Sequence, residues 1–390
     1  MMMGVELFII GFAFLFGSLI GSFSNVLIYR IPRKESVAFP PSHCPNCNHQ
    51  LGVFDLFPIF SWLFLRGKCR YCGHPISSRY PIIEFISGLG YALIAWKVFG
   101  NYSLGTQYGF DRNYILEALG MMFLYTCLLV GSAIDLETKL LPDEFTLLPL
   151  LVGLALSVWI GGVPGFYRAL EGAIFGAGIL AFVAGFFAWL LRRFKEPKFP
   201  SFPVGYFNIH LAFLVGAWLG PIYGVAAGVL LTILNLIFKR VIPMPDFLTL
   251  GGGIISIFVS SSVLQNHSLA TSAYGALQAA GGMALLAGLY WWFTPENEDD
   301  ENEDGDPVAF GFGDVKLWGA VGVVLFWQGA IFGFFIGVFA GAIFGVIQKA
   351  RTGDSQLPFG PGLAVGALVA YFTNSSPFLS YLQNIGILGK

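Results

Sequence analysis

Long apolar stretches, interrupted by glycine, proline and short clusters of charge, run through almost the whole chain. Runs of about 20 residues with almost no charge predict membrane helices rather than strands or a soluble core. Twelve are expected, at roughly 5–28, 82–98, 114–134, 145–162, 170–191, 207–221, 223–238, 247–264, 273–293, 315–327, 329–347 and 359–374. The runs at 207–221 and 315–327 are short, and the pairs meeting near Pro221 and Trp327 admit other boundaries. The first run resembles a signal peptide, but it is a full span long and its charges follow it, in Tyr29-Arg30-Ile31-Pro32-Arg33-Lys34. It is expected to be a retained helix with its N-terminus outside. Arg192-Arg193, Lys239-Arg240 and Lys349 with Arg351 then all face the cytoplasm, as the positive-inside rule requires.

Composition supports the same class: 56% apolar residues, 11% charged residues and a mean hydropathy of +0.71 describe a polytopic, all-α membrane protein. The net charge of −2 is partitioned among loops and gives no reason to expect a nucleic-acid partner; the lipid bilayer is the expected surroundings.

The chain also repeats itself. Pro142-Asp143-Glu144-Phe145-Thr146-Leu147 recurs as Pro245-Asp246-Phe247-Leu248-Thr249-Leu250 at an offset of 103, which also matches Gly172-Ala173 to Gly275-Ala276, and Gly185 and Trp189 to Gly288 and Trp292. At an offset of 106, Val204-Gly205-Tyr206-Phe207-Asn208-Ile209-His210-Leu211 matches Phe310-Gly311-Phe312-Gly313-Asp314-Val315-Lys316-Leu317. The expected unit is four helices long, and an even number leaves every later loop on its own side of the membrane. Packing demand on Gly-rich helices is the competing explanation. The expected segments are a first helix (1–30), a cytoplasmic loop domain (31–81), helices leading to a first acid (82–140), two copies of the repeat (141–240 and 241–350) and a C-terminal helix and tail (351–390).

Two features carry chemistry. Cys44-Pro45-Asn46-Cys47 and Cys69-Arg70-Tyr71-Cys72 form two tight knuckles, and four thiolates so spaced suit a closed, structural zinc site. Two disulfides are the alternative, but the neighbouring Arg30, Arg33, Lys34, Arg66, Lys68, Arg70 and Arg79 point to the reducing cytoplasm. His43, His49 and His74 are spare donors, and Cys127 lies in a span. The second feature is a pair of acids at the mouths of spans, Asp135 and Asp314, where a carboxylate is expensive and therefore functional. They suggest an aspartyl protease. The duplication leaves one intact pair, because Asn208 stands in the first copy where the second has Asp314, and Phe238 stands where the second copy needs its own Asp135.

With these residues goes a resemblance to the type IV prepilin peptidases, bifunctional membrane enzymes of the GxGD aspartyl class. It covers Gly21-Ser22-Phe23-Ser24-Asn25 through Pro32, the cysteine knuckles, Phe60 to Cys69, Ile76 to Glu84, the Asp135 segment, Gly311-Phe312-Gly313-Asp314-Val315-Lys316-Leu317 and Leu357-Pro358-Phe359-Gly360-Pro361. The family pattern has about eight spans, so the four-helix repeat and the acidic run 296–306 are additional here, and Ser24 replaces a larger apolar residue. The resemblance implies a leader peptidase of the bacterial inner membrane, with the zinc loop and the site on the cytoplasmic side.

Its substrates would be prepilins or pseudopilins with a basic leader, which the acidic run could attract if it is more than a solvated loop. Asp135 and Asp314 would share a proton and exchange the roles of base and acid. Gly311 and Gly313 would allow close backbone approach and unusual dihedrals, and so let an extended peptide lie beside Asp314. Asp143 is a second candidate acid or a helix cap, and Lys139 and Lys316 could orient the carboxylates or meet headgroups. The resemblance also implies N-methylation of the new N-terminus from S-adenosylmethionine. For this, Glu84 is the candidate residue, with an interfacial pairing to Arg79 as its alternative, and Asp55 is a further candidate. A parallel-repeat transporter and a non-catalytic scaffold with a zinc docking loop are the readings outside this class.

Overall fold

The structure is a computed structural model that describes residues 2–99, 112–191, 202–263, 268–294, 311–352 and 358–373. The acidic run 296–306 and Arg192-Arg193 lie outside them. The regular structure of the described residues is helical, apart from two isolated β-bridges in the cysteine loop, which is otherwise turns and irregular chain. Among the described residues six helices are long and apolar enough to cross a membrane, and three shorter apolar helices accompany them.

The chain divides into two units, 1–145 and 146–390. The first holds α1 (Met2–Arg30), the loop with the short α2 (Phe60–Phe64), α3 (Arg79–Phe99) and α4 (Arg112–Thr138). Small residues let α1 and α3 lie backbone to backbone: a side chain at Gly21 would meet the Cα of Glu84 at 2.7 Å. Polar side chains tie the helices where lipid offers no alternative, with Ser87 donating to the Gly17 carbonyl at 2.6 Å and Tyr125 to the Ile86 carbonyl at 2.7 Å. Asn25 on α1 reaches the Tyr80 carbonyl at the start of α3 at 3.2 Å.

The second unit contains α5 (Leu147–Leu191), α6 (Tyr206–Leu219), α7 (Pro221–Phe238), α8 (Gly252–Val263), α9 (Leu269–Phe293), α10 (Phe312–Thr352) and α11 (Gly360–Phe372). The expected runs 145–162 and 170–191 are arms of one element, α5, which breaks at Gly162 (φ 61, ψ −155) just before Pro164. The runs 315–327 and 329–347 are arms of α10, which breaks at Phe326 (φ 54, ψ −178). Left-handed φ at each break interrupts the helical ladder. In α10 the residue that adopts it is bulky, so no glycine or proline marks the break in the sequence. The second arm of α10 packs on α11 through facing glycines, Gly333, Gly337 and Gly341 against Gly362 and Gly366.

Candidate active site and metal centre

The two cysteine knuckles have the same local geometry. The Cys44 amide donates to the His49 carbonyl at 3.0 Å and the Cys69 amide to the His74 carbonyl at 2.8 Å, while Asn48 and Gly73 donate back to the Cys44 and Cys69 carbonyls. Asn48 (φ 54) and Gly73 (φ 71) take the left-handed conformation that closes each turn. All four Sγ atoms lie within 4.8 Å of one another, with Cys44 and Cys72 at 3.9 Å. Zinc–thiolate bonds of about 2.3 Å place sulfurs roughly 3.8 Å apart, so the cluster fits such an ion.

Backbone amides prepare it: those of Cys47 and Asn46 hold the Cys44 thiol below its ordinary range, and that of His74 lowers Cys72 to about 7. Cys47 is lifted to about 11, because the His49 amide is outweighed by burial and the neighbouring thiols. None of the four is in a disulfide. The rings of His49 and Tyr71 stack at 3.6 Å, joining the knuckles, so His49 serves as packing.

Asp55 is a strut of this loop. Its Oδ1 accepts from Arg70 Nε at 2.6 Å and its Oδ2 from the Gly52 amide at 3.1 Å and the Tyr71 hydroxyl at 3.0 Å. Desolvation raises the pKa, but the donors of Gly52, Arg70 and Tyr71 outweigh it and hold the carboxyl below its usual range.

Glu84, buried on α3, has a different partner from the one the sequence suggested. Its Oε2 accepts the Ile59 amide at 2.7 Å. Arg79 pairs with Glu137 of α4 instead. Arg30, the buried charge at the end of α1, binds the carbonyls of Ser36, Val37 and Pro40 and so gathers the start of the loop. Neither the Ile59 contact nor the Arg30 clamp is readable from spacing, because both depend on how the loop folds back over the helix ends.

Asp135 lies in the last turn of α4 and is 6% exposed. Lys139 (φ 58) ends the helix, donating its amide to the Asp135 carbonyl at 2.9 Å. Asp143 opens the short turn Asp143–Phe145 ahead of α5.

In the second unit Asp314 is 7% exposed at the third position of α10, and its Oδ2 accepts the Gly311 amide at 2.9 Å. A carboxylate reaching back to the N-cap amide satisfies an orphan donor and complements the dipole. Gly313 is helical, so its freedom to take an unusual dihedral is not used there. Among the described residues, a side chain at Gly311 would meet only Asp314 Oδ2 at 3.6 Å and the Gly313 amide at 3.9 Å. Lys316 is buried, with its Nζ 5.6 Å from the centre of the Phe312 ring. The structure also holds a buried pair that charge counting missed, His210 Nδ1 with Asp246 Oδ1 at 3.1 Å.

Comparison with known proteins decides the family. Residues 15–98 match the bacterial peptidase A24 N-terminal domain, and 237–346 match the type IV leader peptidase family. A prepilin leader peptidase/N-methyltransferase of Burkholderia pseudomallei (strain 1026b) is 31% identical over 288 residues, covering 64% of this chain and 85% of the relative. The chain belongs to this family. The proteins of the same name from Stutzerimonas stutzeri, at 30% identity over 65% of this chain and 93% of the relative, and Aeromonas hydrophila, at 35% over 53% and 72%, are similar too. No solved structure matches. The second matched segment contains Asp246 and Asp314 and leaves Asp135 outside.

Proposed function

We propose that this chain is a prepilin leader peptidase and N-methyltransferase in which Asp135 and Asp314 form the hydrolytic pair. The observation that carries the reading is Asp314: a carboxylate buried at the first turn of a long apolar helix, its Oδ2 committed to a backbone amide. Two acids that share a site near a membrane retain one proton between them. The ionised acid takes a proton from water as it attacks, and the protonated one donates to the scissile carbonyl. Asp135 is preferred over Asp246 as the partner for two reasons. Asp246 is engaged by His210, and at the offset of 103 it stands in the place of Asp143, while Phe238 occupies the place of Asp135. The lack of contacts around Gly311 among the described residues favours an extended substrate passing beside Asp314.

The substrates proposed are prepilins or pseudopilins, cut at the cytoplasmic face, with the N-terminus of the enzyme outside. The chain would cross the membrane twelve times and carry the four-helix duplication. Zinc at Cys44, Cys47, Cys69 and Cys72 would be structural, since four sulfurs leave it no open position. S-adenosylmethionine would supply the methyl group transferred to the new N-terminal amine. Glu84 is the proposed residue for binding that amine or the donor's sulfonium; Asp55, with both oxygens used inside the loop, is better suited to holding the loop.

The test is cleavage of a model prepilin by purified protein in nanodiscs, with mass spectrometry of the new N-terminus. Asp135→Asn and Asp314→Asn should each abolish cutting while the fold survives. Cutting by Asp135→Asn would remove that residue from the pair and turn attention to Asp143 or Asp246.

A further inference from the structure

The helices of the second unit do not pair as the sequence repeat would suggest. The first sequence copy contains α5, α6 and α7; the second contains α8, α9 and α10. In space α5 packs mainly on α10, while α6 packs on α9, α7 and α8. The halves of the two copies are exchanged.

The exchanged pairs match in detail. A side chain at Gly172 of α5 would run into the backbone of Gly322 of α10, and one at Gly275 of α9 would meet the Gly216 carbonyl of α6 at 2.6 Å. By the offsets of 103 and 106 these are the same contact. Leu150 of α5 packs against Gly319 of α10, a side chain there lying 3.3 Å from its Cδ1; the equivalent positions are Gly253 and Phe213, with the large and small partners reversed and a corresponding distance of 2.5 Å to the Phe213 ring. Gly205 and Asn208 reproduce the Gly311–Asp314 cap, the Gly205 amide donating to Asn208 Oδ1 at 3.1 Å. The helix break at Phe326 is matched by Gly220 (φ 91, ψ 174) between α6 and α7.

Between the two groups the contacts are reciprocal. A side chain at Gly178 of α5 would strike the Leu277 carbonyl of α9, and one at Gly281 of α9 would strike the Ile174 carbonyl of α5. Positions 178 and 281, like 174 and 277, are equivalents at the offset of 103. A contact in which i meets j and the equivalent of j meets the equivalent of i is the mark of an isologous, two-fold interface. The approach of His210 to Gly185 is repeated by Lys316 at Gly288.

We propose that α6–α9 form a second core, with Asn208 at the place where the first has Asp314, seated on the core of α5, α10 and α11 about a local two-fold axis, so that the chain carries a partner subunit within itself. Its polar centre is used up internally. Asn208 Nδ2 donates to the Gly228 carbonyl at 3.2 Å and to Thr232 Oγ1 at 2.9 Å, and Asp246 is engaged by His210. The second core therefore supports the first and takes no part in hydrolysis.

This inference rests on the internal repeat, and on the proposed pairing of Asp135 with Asp314 only in giving the second core no part in hydrolysis. Its first test does not involve cleavage. A ketone-bearing amino acid, which spares the cysteines, is placed in the full-length protein at the exposed positions Leu190, Ile233, Phe293 and Phe339, spin-labelled in pairs and measured by pulsed electron resonance. The 190–339 distribution should coincide with 293–233, and 190–233 with 293–339; distinct distributions in either comparison overturn the two-fold arrangement. A second test compares Gly172→Leu with Gly275→Leu. Both should lower Tm by similar amounts, but cleavage per folded molecule should fall only for Gly172→Leu. Loss of cleavage in folded Gly275→Leu would overturn the supporting role.

Discussion

The Ile59 amide donates to Glu84 Oε2 at 2.7 Å, so the one acid buried in α3 holds the cysteine loop against the helix end. Ile59 does this from φ 64, ψ −54, a conformation a β-branched residue adopts only under constraint. The contact therefore joins the metal-loop half of the first unit to its membrane half. An acid with this task can also carry charge for methyl transfer, and the two tasks separate by substitution.

Glu84→Gln keeps an acceptor for Ile59 and removes the charge. The expected result is intact cleavage with methylation reduced at least tenfold, about 1.4 kcal/mol of transition-state stabilisation. Glu84→Ala strands a buried donor, which costs about 1–3 kcal/mol, and should lower Tm as well. Mass spectrometry of the product and thermal melts read the two effects. Equal methylation by Glu84→Gln and wild type would reduce Glu84 to an anchor.

The cysteine cluster should lose metal in acid. In the cluster without a metal the Cys72 thiol is brought down to about 7, so protons compete with a metal for this ligand increasingly as pH falls below that value. Because its folded pKa is depressed, the stabilisation it contributes is complete above the ordinary thiol range and is lost as pH falls through about 7. Dialysis against chelator from pH 8 to pH 5, followed by metal analysis, should show retention at the upper end and loss at the lower. Cys44→Ser should shift that loss to higher pH and open the loop to protease.

Much of this architecture was legible beforehand. The apolar runs fall on helices because period and length are local properties, and the cysteine knuckles were recognisable because metal ligation restricts spacing. The partner of Arg79 was not legible, since Glu137 lies on a helix 58 residues away. The exchange of helices between copies was equally hidden: repeat offsets show which positions are equivalent, not which equivalents touch.

Among the described residues, a methyl added by Gly311→Ala meets only ordinary contacts at 3.6 and 3.9 Å, so the fold should be unchanged within about 0.5 kcal/mol. If an extended substrate passes there, kcat/KM should fall tenfold or more, and Gly311→Val further. Full activity in Gly311→Val would show that the substrate lies elsewhere.

The reversed pair Leu150–Gly319 and Phe213–Gly253 gives a test of packing in the second core. Phe213→Gly alone removes a fully buried ring and should cost about 3–5 kcal/mol, by loss of transfer energy and by the cavity left behind. Gly253→Leu alone forces a side chain toward the Phe213 ring and should cost about 1–3 kcal/mol. Combined, the two substitutions reproduce the arrangement at Leu150 and Gly319, with the large residue on the α8 side. The double variant should therefore be more stable than the sum of the single effects by about 1–3 kcal/mol, the range for residues in direct contact. Denaturant titration of the four proteins in one detergent measures the coupling. Simple additivity would mean that the two sites are not equivalent.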